Sequence, residues 1–435
     1  MVLGYFRFFA RLQLKKNPRA VVIGVTGSAG KTSTRLAIVK ILRTHGRVKH
    51  STAANSESGL SFNILCLRPT NYSVGDWIRL ALLAPCMLVF NWEHYDYYVV
   101  EMGIDSPSPP KNMTYLLSIV QPHMGVVLNA GLSHTEAFDY LVKDRDPTRR
   151  ERKLRSLVAK EKMLLAKSIG RDGVAIINLD QSDISRDRKG IVARQITIGK
   201  APKANLQILK VLSNQAGFKL EFIYQNQKYT LSLPDIYPPY FGYTFAASIA
   251  VAAALGIAPR ESLKSLMSYR PPAGRMRLFS GLNNSTIIDS SYNASPDTTK
   301  ETLHFFRQIA SRQYRLAVIG DMRELGESTK LVHKHLADWI MTSTHEVLLF
   351  GPLTREYTLP LLRSHAFPAH HFQRMSELNK YLQLHLPDRS WVLVKGSQNG
   401  ILLERAVEAI LQSPADTKLL CRRGAFWDRV RAKTP

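Results

Sequence analysis

Cysteine is scarce in this chain. Cys66, Cys86 and Cys421 are the three in 435 residues. They are too few and too scattered for a disulfide framework or a four-ligand zinc site, which points to a reduced, cytoplasmic setting. Long apolar runs are also missing. The most apolar stretch, Trp77 to Phe90, contains Arg79 and Pro85 and falls short of a bilayer span. It reads as a buried or interfacial helical hairpin. Met1 to Leu14 mixes Phe6, Phe8, Phe9 and Leu12 with Arg7 and Arg11 and shows no small-residue cleavage site. A basic amphipathic helix is expected there in place of a signal peptide. Internal repeats and low-complexity tracts are absent. Acidic residues are the last shortage: 34 Asp and Glu against 59 Lys and Arg leave a net charge of +25. That balance suits an anionic partner such as a membrane surface, or else a solvated basic face. Nucleic acid is not expected, because no aromatic-interleaved basic groove or nucleic-acid fold signature accompanies the charge.

Present instead is a glycine-rich stretch from Gly24 to Thr34, Gly-Val-Thr-Gly-Ser-Ala-Gly-Lys-Thr-Ser-Thr. An apolar run, Ala20 to Val25, precedes it. Leu36, Ala37, Val39, Ile41 and Leu42 follow at helical spacing. Strand, glycine loop and helix in this order are the context of a phosphate loop. Gly27 and Gly30 let the backbone N–H groups around Ser28 turn toward phosphate oxygens, and the helix N-terminus at Lys31 to Ser33 adds its positive end. Lys31 is placed to reach the terminal phosphates of a nucleotide, and Thr32 to put its hydroxyl on Mg²⁺.

Apolar residues make up 45% of the chain, enough to build packed cores in two or three domains. The runs Tyr97 to Val100, Met124 to Leu128 and Gly173 to Ile177 are closed by Glu101, Asn129 and Asn178. Such runs suit a parallel sheet covered on both faces. Ala193 to Leu233 changes to short alternating segments, expected as a small antiparallel patch, and a small-residue helix follows from Thr244 to Leu255. Pro271-Pro272-Ala273-Gly274 marks the domain boundary. Strands and helices then alternate again to Leu411. The expected organisation is a basic amphipathic segment over 1–19, an α/β phosphate-loop domain with a parallel sheet over 20–270, and a Rossmann-like α/β domain over 271–435.

In a parallel sheet, ligands sit at the carboxyl ends of the strands. Glu101 ends one strand, and Asn129 ends the next, five residues before His134. A carboxylate and an imidazole on neighbouring strand ends suit a metal beside phosphates, although a histidine such as His134, taken alone, is more often a surface or structural one. Asp144 to Lys162 is charge-dense with helical periodicity and reads as a solvated helix. Within it, Lys162 falls on the stripe of Leu154, Val158, Leu165 and Ile169, while Lys160 lies nearly opposite. A buried lysine tends to lose its proton, and a neutral amine can take up CO₂ as a carbamate, an anionic metal ligand. A snorkelling lysine fits the same pattern.

Thr26-Gly27-Ser28-Ala29-Gly30-Lys31-Thr32, Glu101-Met102-Gly103, Asn129 to His134, Ala159-Lys160-Glu161-Lys162 and Asn178-Leu179-Asp180, in this order, resemble the central domain of the Mur ligases. Gly274-Arg275-Met276, Asp289, Tyr292-Asn293-Ala294-Ser295-Pro296, Gly320-Asp321-Met322-Arg323-Glu324-Leu325-Gly326-Glu327 and Lys395-Gly396-Ser397 continue the resemblance. The Tyr-Asn-Ala-x-Pro and Gly-Asp-Met runs are closest to the branch of that family that adds D-alanyl-D-alanine.

The resemblance implies an ATP-dependent, ADP-forming ligase of cell-wall synthesis. An acceptor carboxylate takes the γ-phosphoryl group, and an amine donor displaces phosphate from the acyl phosphate. It also implies Mg²⁺ held by Thr32, Glu101, His134 and a carbamylated Lys162. Arg275 belongs near the phosphates, Asp289 on the ribose, and Tyr292 and Asn293 in the same cleft. Three departures stand out. The first strand begins at Ala20, too early for the domain that grips uridine diphosphate in the family. Tyr240-Phe241 and Thr244 stand where His-Asn and a second Asn are usual near adenine, which points to stacking. Ser290 and Gln398 replace an acid and an arginine. The alternatives are a folylpolyglutamate-synthase-like ligase acting on another carboxylate, a basic phosphate-loop ATPase dependent on nucleic acid, and a non-catalytic nucleotide-binding partner of another wall enzyme.

Overall fold

A computed structural model describes residues 2–52, 56–396 and 400–432. The chain divides into two compact units. The first is Met1–Leu212 with Lys219–Leu233 and Tyr240–Tyr269; the second is Ser213–Phe218 with Pro234–Pro239 and Arg270–Pro435.

The first unit runs α1 (Val2–Leu14), β1 (Val21–Thr26), α2 (Lys31–Leu42), β2 (Val48–His50), α3 (Glu57–Ile64), α4 (Val74–Phe90), β3 (Tyr97–Glu101), α5 (Met113–Ile119), β4 (Met124–Val127), α6 (Pro147–Lys167), β5 (Val174–Asn178), α7 (Ser182–Arg186), β6 (Arg194–Gly199), β7 (Leu206–Asn214), β8 (Gly217–Tyr224), β9 (Gln227–Leu233), α8 (Phe241–Ala254) and α9 (Pro259–Leu266). The strands form one sheet in the order β2-β3-β1-β4-β5-β6-β7-β8-β9. From β2 to β7 the pairings are parallel. The apolar runs are buried on both faces, as helices cover both sides of a parallel sheet.

Two expectations change here. The segment from Ala193 does not form a separate patch but extends the main sheet, and its first pairing, β6 with β7, is parallel. Antiparallel pairing begins with the hairpins, because connections as short as Gln215-Ala216 and Gln225-Asn226 join only antiparallel strands. Gln225 and Asn226 both take positive φ, 49° and 61°, as a type I′ turn requires. Trp77 to Phe90 is not a hairpin but part of one helix with Pro85 inside it. Proline removes the N–H that would bond the carbonyl four residues back, that of Ala81. The Tyr5 hydroxyl donates to that carbonyl at 2.9 Å, so the helix continues. The inward stripe expected of α6 is buried and its opposite side is solvated. Arg150, Leu154, Val158, Ala159, Lys162, Met163, Leu165 and Ala166 are buried.

The N-terminal helix α1 belongs to the same unit. Phe6 and Ala10 are buried in its core cluster, and Phe6 meets Phe62 edge-on at 5.0 Å.

In the second unit, β10 (Arg277–Ser280), β11 (Thr286–Ser290), α10 (Pro296–Ile309), β12 (Arg315–Gly320), α11 (Thr329–Ser343), β13 (Glu346–Phe350), α12 (Leu359–Ser364), β14 (Ala369–Phe372), α13 (Met375–His385), β15 (Trp391–Lys395), α14 (Glu404–Ala409) and α15 (Ala425–Ala432) follow in turn. The sheet order is β10-β11-β15-β12-β13-β14. Only the β10 pairing is antiparallel, and helices pack the faces of the parallel core.

Candidate active site

The first site lies at the carboxyl ends of β3, β1 and β4, which are adjacent in the sheet. The glycine loop leaves β1 and enters α2, with Gly30 at the N-cap in the left-handed region, φ 81°. Residues other than glycine are strained there. Asn129, at the end of β4, clamps the loop. Its side chain accepts from the Ala29 N–H at 2.8 Å and donates to the Ala29 carbonyl at 3.1 Å, while its own carbonyl accepts from the Ser28 N–H at 3.1 Å. The Ser28 hydroxyl donates to the Gly131 carbonyl at 3.1 Å. The loop is thus shaped before any ligand enters, which lowers the ordering cost of binding. The Lys31 ammonium donates to the Gly27 carbonyl at 2.7 Å and so lies folded over the loop.

Glu101 sits on β3 opposite Val25. Its Oε2 accepts from the Thr32 hydroxyl at 3.0 Å, and its Oε1 pairs with the Arg35 Nε at 2.7 Å. Arg35 and Glu101 are both buried, and Arg35 also contacts the His50 ring. Arg35 holds one carboxylate oxygen and aims the other at Thr32. Burial, helped by the Arg35 charge, pushes the His50 imidazole below its ordinary range. Arg35 and His50 were missed from sequence. Arg35 did carry a signal: it follows Thr32 by three residues and Lys31 by four, hence shares their helix face.

His134 takes a positive φ of 56°, and its Nδ1 lies 3.6 Å from Asp105. Lys162 is 2% exposed whereas Lys160 is exposed. Burial pushes the Lys162 ammonium well below the ordinary lysine range. The Lys31 charge adds to the shift, and Asp105 and Glu161 oppose it. Lys31, Asp105 and Lys162 therefore share one electrostatic environment. Among the described residues no three His, Cys, Asp or Glu side chains cluster as a ready-made metal site. The donors present are the Thr32 hydroxyl and the Glu101 carboxylate, hard oxygens beside a phosphate loop, which is the set Mg²⁺ takes when phosphates and water complete its shell. Of the Tyr240-Phe241 pair, Phe241 is 2% exposed and packs on Phe245 and Tyr269, so its ring belongs to the core and is not available for stacking on adenine.

The second unit carries its own cluster. The Arg275 guanidinium lies 4.4 Å from the Tyr292 ring centroid, and Arg422 meets the same ring at 5.1 Å. Arg422 also donates to the Tyr292 carbonyl at 2.6 Å and pairs with the fully buried Glu404 at 2.7 Å. Asp289 is fully buried and accepts from the Ser291 N–H at 3.0 Å and hydroxyl at 2.6 Å. Burial pushes its carboxyl up against these bonds. The Lys395 ammonium donates to the Asn293 carbonyl. Arg422 and Glu404 carried no sequence signal, since their pairing spans 18 residues and the bond from Arg422 to Tyr292 spans 130. Ser397 and Gln398 lie outside the described residues.

Lys395 gives a pH test. Burial, with Arg275 nearby, lowers it from its ordinary 10.5 to about 7. Between those values the unfolded chain holds more protons at this position than the folded one, so stability rises with pH from about 7 to 10.5 and is unaffected by this group below about 7. Lys395→Met should flatten that rise in urea midpoints measured across pH. An unchanged slope would remove Lys395 as its source.

A strand–glycine loop–helix with a strand-end carboxylate, in a chain that continues into a second α/β unit, defines a phosphate-loop nucleotide-binding protein. Residues 25–146 match the Mur ligase middle domain, and residues 274–398 match the Mur ligase glutamate ligase domain. The chain belongs to the Mur ligase family. The UDP-N-acetylmuramoyl-tripeptide--D-alanyl-D-alanine ligase of Rickettsia prowazekii is 26% identical over 404 residues, 91% of this chain and 79% of that protein. A MurF ligase from Thermotoga maritima, solved in complex with ADP, superposes with a TM-score of 0.73 at 21% identity over 94% of this chain and 83% of the other. FPGS from L. casei shares the fold at a TM-score of 0.60 and 16% identity, over 94% of this chain and 95% of that one.

Proposed function

We propose that this protein is an ATP-dependent, ADP-forming ligase that joins a carboxylate acceptor to an amine donor through an acyl phosphate. D-alanyl-D-alanine is the donor, and a UDP-N-acetylmuramoyl-tripeptide type of cell-wall precursor is the acceptor. The observation that carries the reading is the Asn129-clamped phosphate loop with Thr32 bonded to the strand-end Glu101 and the buried Lys162 of α6 within reach of the Lys31 charge, in a chain related over nine-tenths of its length to a D-alanyl-D-alanine ligase.

Lys31 balances charge on the transferring phosphoryl group. Arg35 keeps Glu101 oriented, and the Asn129 clamp keeps the loop N–H groups aimed at phosphate oxygens. Thr32 and Glu101 would hold Mg²⁺, with His134 and a carbamylated Lys162 as the further ligands the family pattern assigns; the cation would supply charge neutralisation that needs no proton. In the second unit the family pattern assigns Arg275, Asp289, Tyr292 and Asn293 to the nucleotide. The reaction consumes ATP, and the cysteines are free, so the cytoplasm is its place.

ADP release should require donor and acceptor together and match amide formed mole for mole. The panel to run pairs UDP-N-acetylmuramoyl-tripeptide with D-alanyl-D-alanine, a folate with glutamate, and single-stranded nucleic acid alone. ADP release with the folate pair only, or with nucleic acid only, would overturn the assignment.

A further inference from the structure

The nucleotide site uses neither α1 nor α4. Of α4, only Asp76, Leu80 and Ala84 are fully buried. Val74, Ile78, Leu82, Val89 and Phe90 are 77, 58, 69, 60 and 80% exposed. With the exposed Cys86, the residues Val74, Ile78, Leu82 and Phe90 recur every four positions, and Val89 lies three after Cys86. They therefore form one apolar stripe about 24 Å long at 1.5 Å per residue. The charges at its start, Asp76 and Arg79, pair with each other at 2.7 Å. An apolar stripe of this length left open on a helix marks an interaction surface.

Helix α1 lies beside α4 and runs the same way. Tyr5 bonds the Ala81 carbonyl at 2.9 Å, Gln13 bonds that of Asn91 at 2.9 Å, and Lys16 reaches the Leu88 and Asn91 carbonyls. Exposed Tyr5 and Phe8 enlarge the apolar surface at one end. At the other end Arg11 and Lys15 are exposed, and the Lys16 ammonium lies 4.1 Å from the centre of the exposed Trp92 ring. Residues 1–19 contain Arg7, Arg11, Lys15, Lys16 and Arg19 and no acid.

We infer that the α1–α4 face docks in the plane of an anionic membrane surface. The apolar stripe enters the headgroup–acyl boundary, the cations meet lipid phosphates, and Trp92 sits at the interface level. The chemistry selects this occupant. Among the described residues no helix is long and apolar enough to cross a membrane, so the helices lie on the surface and do not span it. A second copy brought face to face would set the exposed Arg11 and Lys15 of one against those of the other, on a chain of net charge +25. An anionic bilayer meets both the stripe and the charge. This inference does not depend on the ligase reading.

The test is co-sedimentation of the full chain with vesicles of phosphatidylglycerol and phosphatidylcholine, and with pure phosphatidylcholine, at low and physiological salt. Binding should be on the order of tenfold tighter to the anionic vesicles and weaken with salt. Leu82→Glu with Phe90→Glu should lower it about tenfold or more, since apolar burial is lost and negative charge is set against anionic lipid. Ile78→Gln with Val89→Gln is the milder pair on the same stripe and should act in the same direction. All four side chains are exposed, so the circular dichroism and melting temperature should be retained. Arg11→Glu with Lys15→Glu should remove the preference for anionic lipid. The inference fails if the wild type ignores anionic vesicles, or if both stripe variants bind them as well as wild type does. It also fails if the wild type forms a dimer that the stripe variants abolish.

Discussion

Lys31→Ala abolishes ADP formation, a loss of about 10³-fold or more, while the fold is retained. The γ-phosphoryl oxygens carry their charge where Lys31 can reach from the start of α2, and removing a preorganised cation from such a site costs several kcal/mol of transition-state stabilisation. The fold should survive because the loop is shaped by the two-way bond between Asn129 and Ala29 and by the N–H of Ser28, none of which uses the Lys31 side chain. ADP release by a coupled assay, with circular dichroism on the same preparation, is the measurement. A folded variant that keeps most of its turnover sinks the phosphate-loop assignment.

The second large effect is expected at Lys162. Lys162→Ala should lose about 10²–10³-fold in activity, and Lys160→Ala should be nearly silent. The two lysines are two residues apart, yet one is 2% exposed and the other faces solvent. Burial and the Lys31 charge both press the Lys162 amine toward its neutral form. A neutral amine attacks the carbon of CO₂, forms the N–C bond and releases one proton, leaving a carbamate anion that can meet a cation. A short carboxylate in solution should then restore part of the activity of Lys162→Ala, and bicarbonate should raise the activity of CO₂-depleted wild type. Lys162→Met, which keeps the buried volume, separates a chemical loss from a packing loss. If Lys162→Met is active, or if no carboxylate rescues Lys162→Ala, the carbamate is wrong. Because Lys31 helps to depress Lys162, Lys31→Ala also weakens the drive to a neutral amine. The two substitutions should therefore combine less than additively.

The helical register that separates Lys162 from Lys160 was legible in the sequence because a 3.6-residue period is a property of neighbouring residues. For the same reason the phosphate loop could be read from a strand, glycines and a helix in succession, and β13 from its apolar run, Glu346 to Phe350. The edge strands β10 and β14 escaped. Each is four residues long and half open to solvent, so neither shows the unbroken apolar run of a central strand.

The chain by itself determined what lies within a few residues of each position: the loop, the strand-end Glu101 and Asn129, the inward face of α6, and the turn at Pro271-Pro272. The tertiary structure alone decided which distant groups complete one another. Arg35 finds Glu101 across 66 residues, Arg422 finds Tyr292 across 130, and Tyr5 reaches Ala81 across 76 to satisfy the carbonyl that Pro85 leaves open. Read locally, that proline breaks a helix. With a hydroxyl from α1 in place of the missing N–H, the helix runs through and carries its apolar stripe unbroken. The physical reason is that which distant groups meet is a matter of packing that no local pattern encodes.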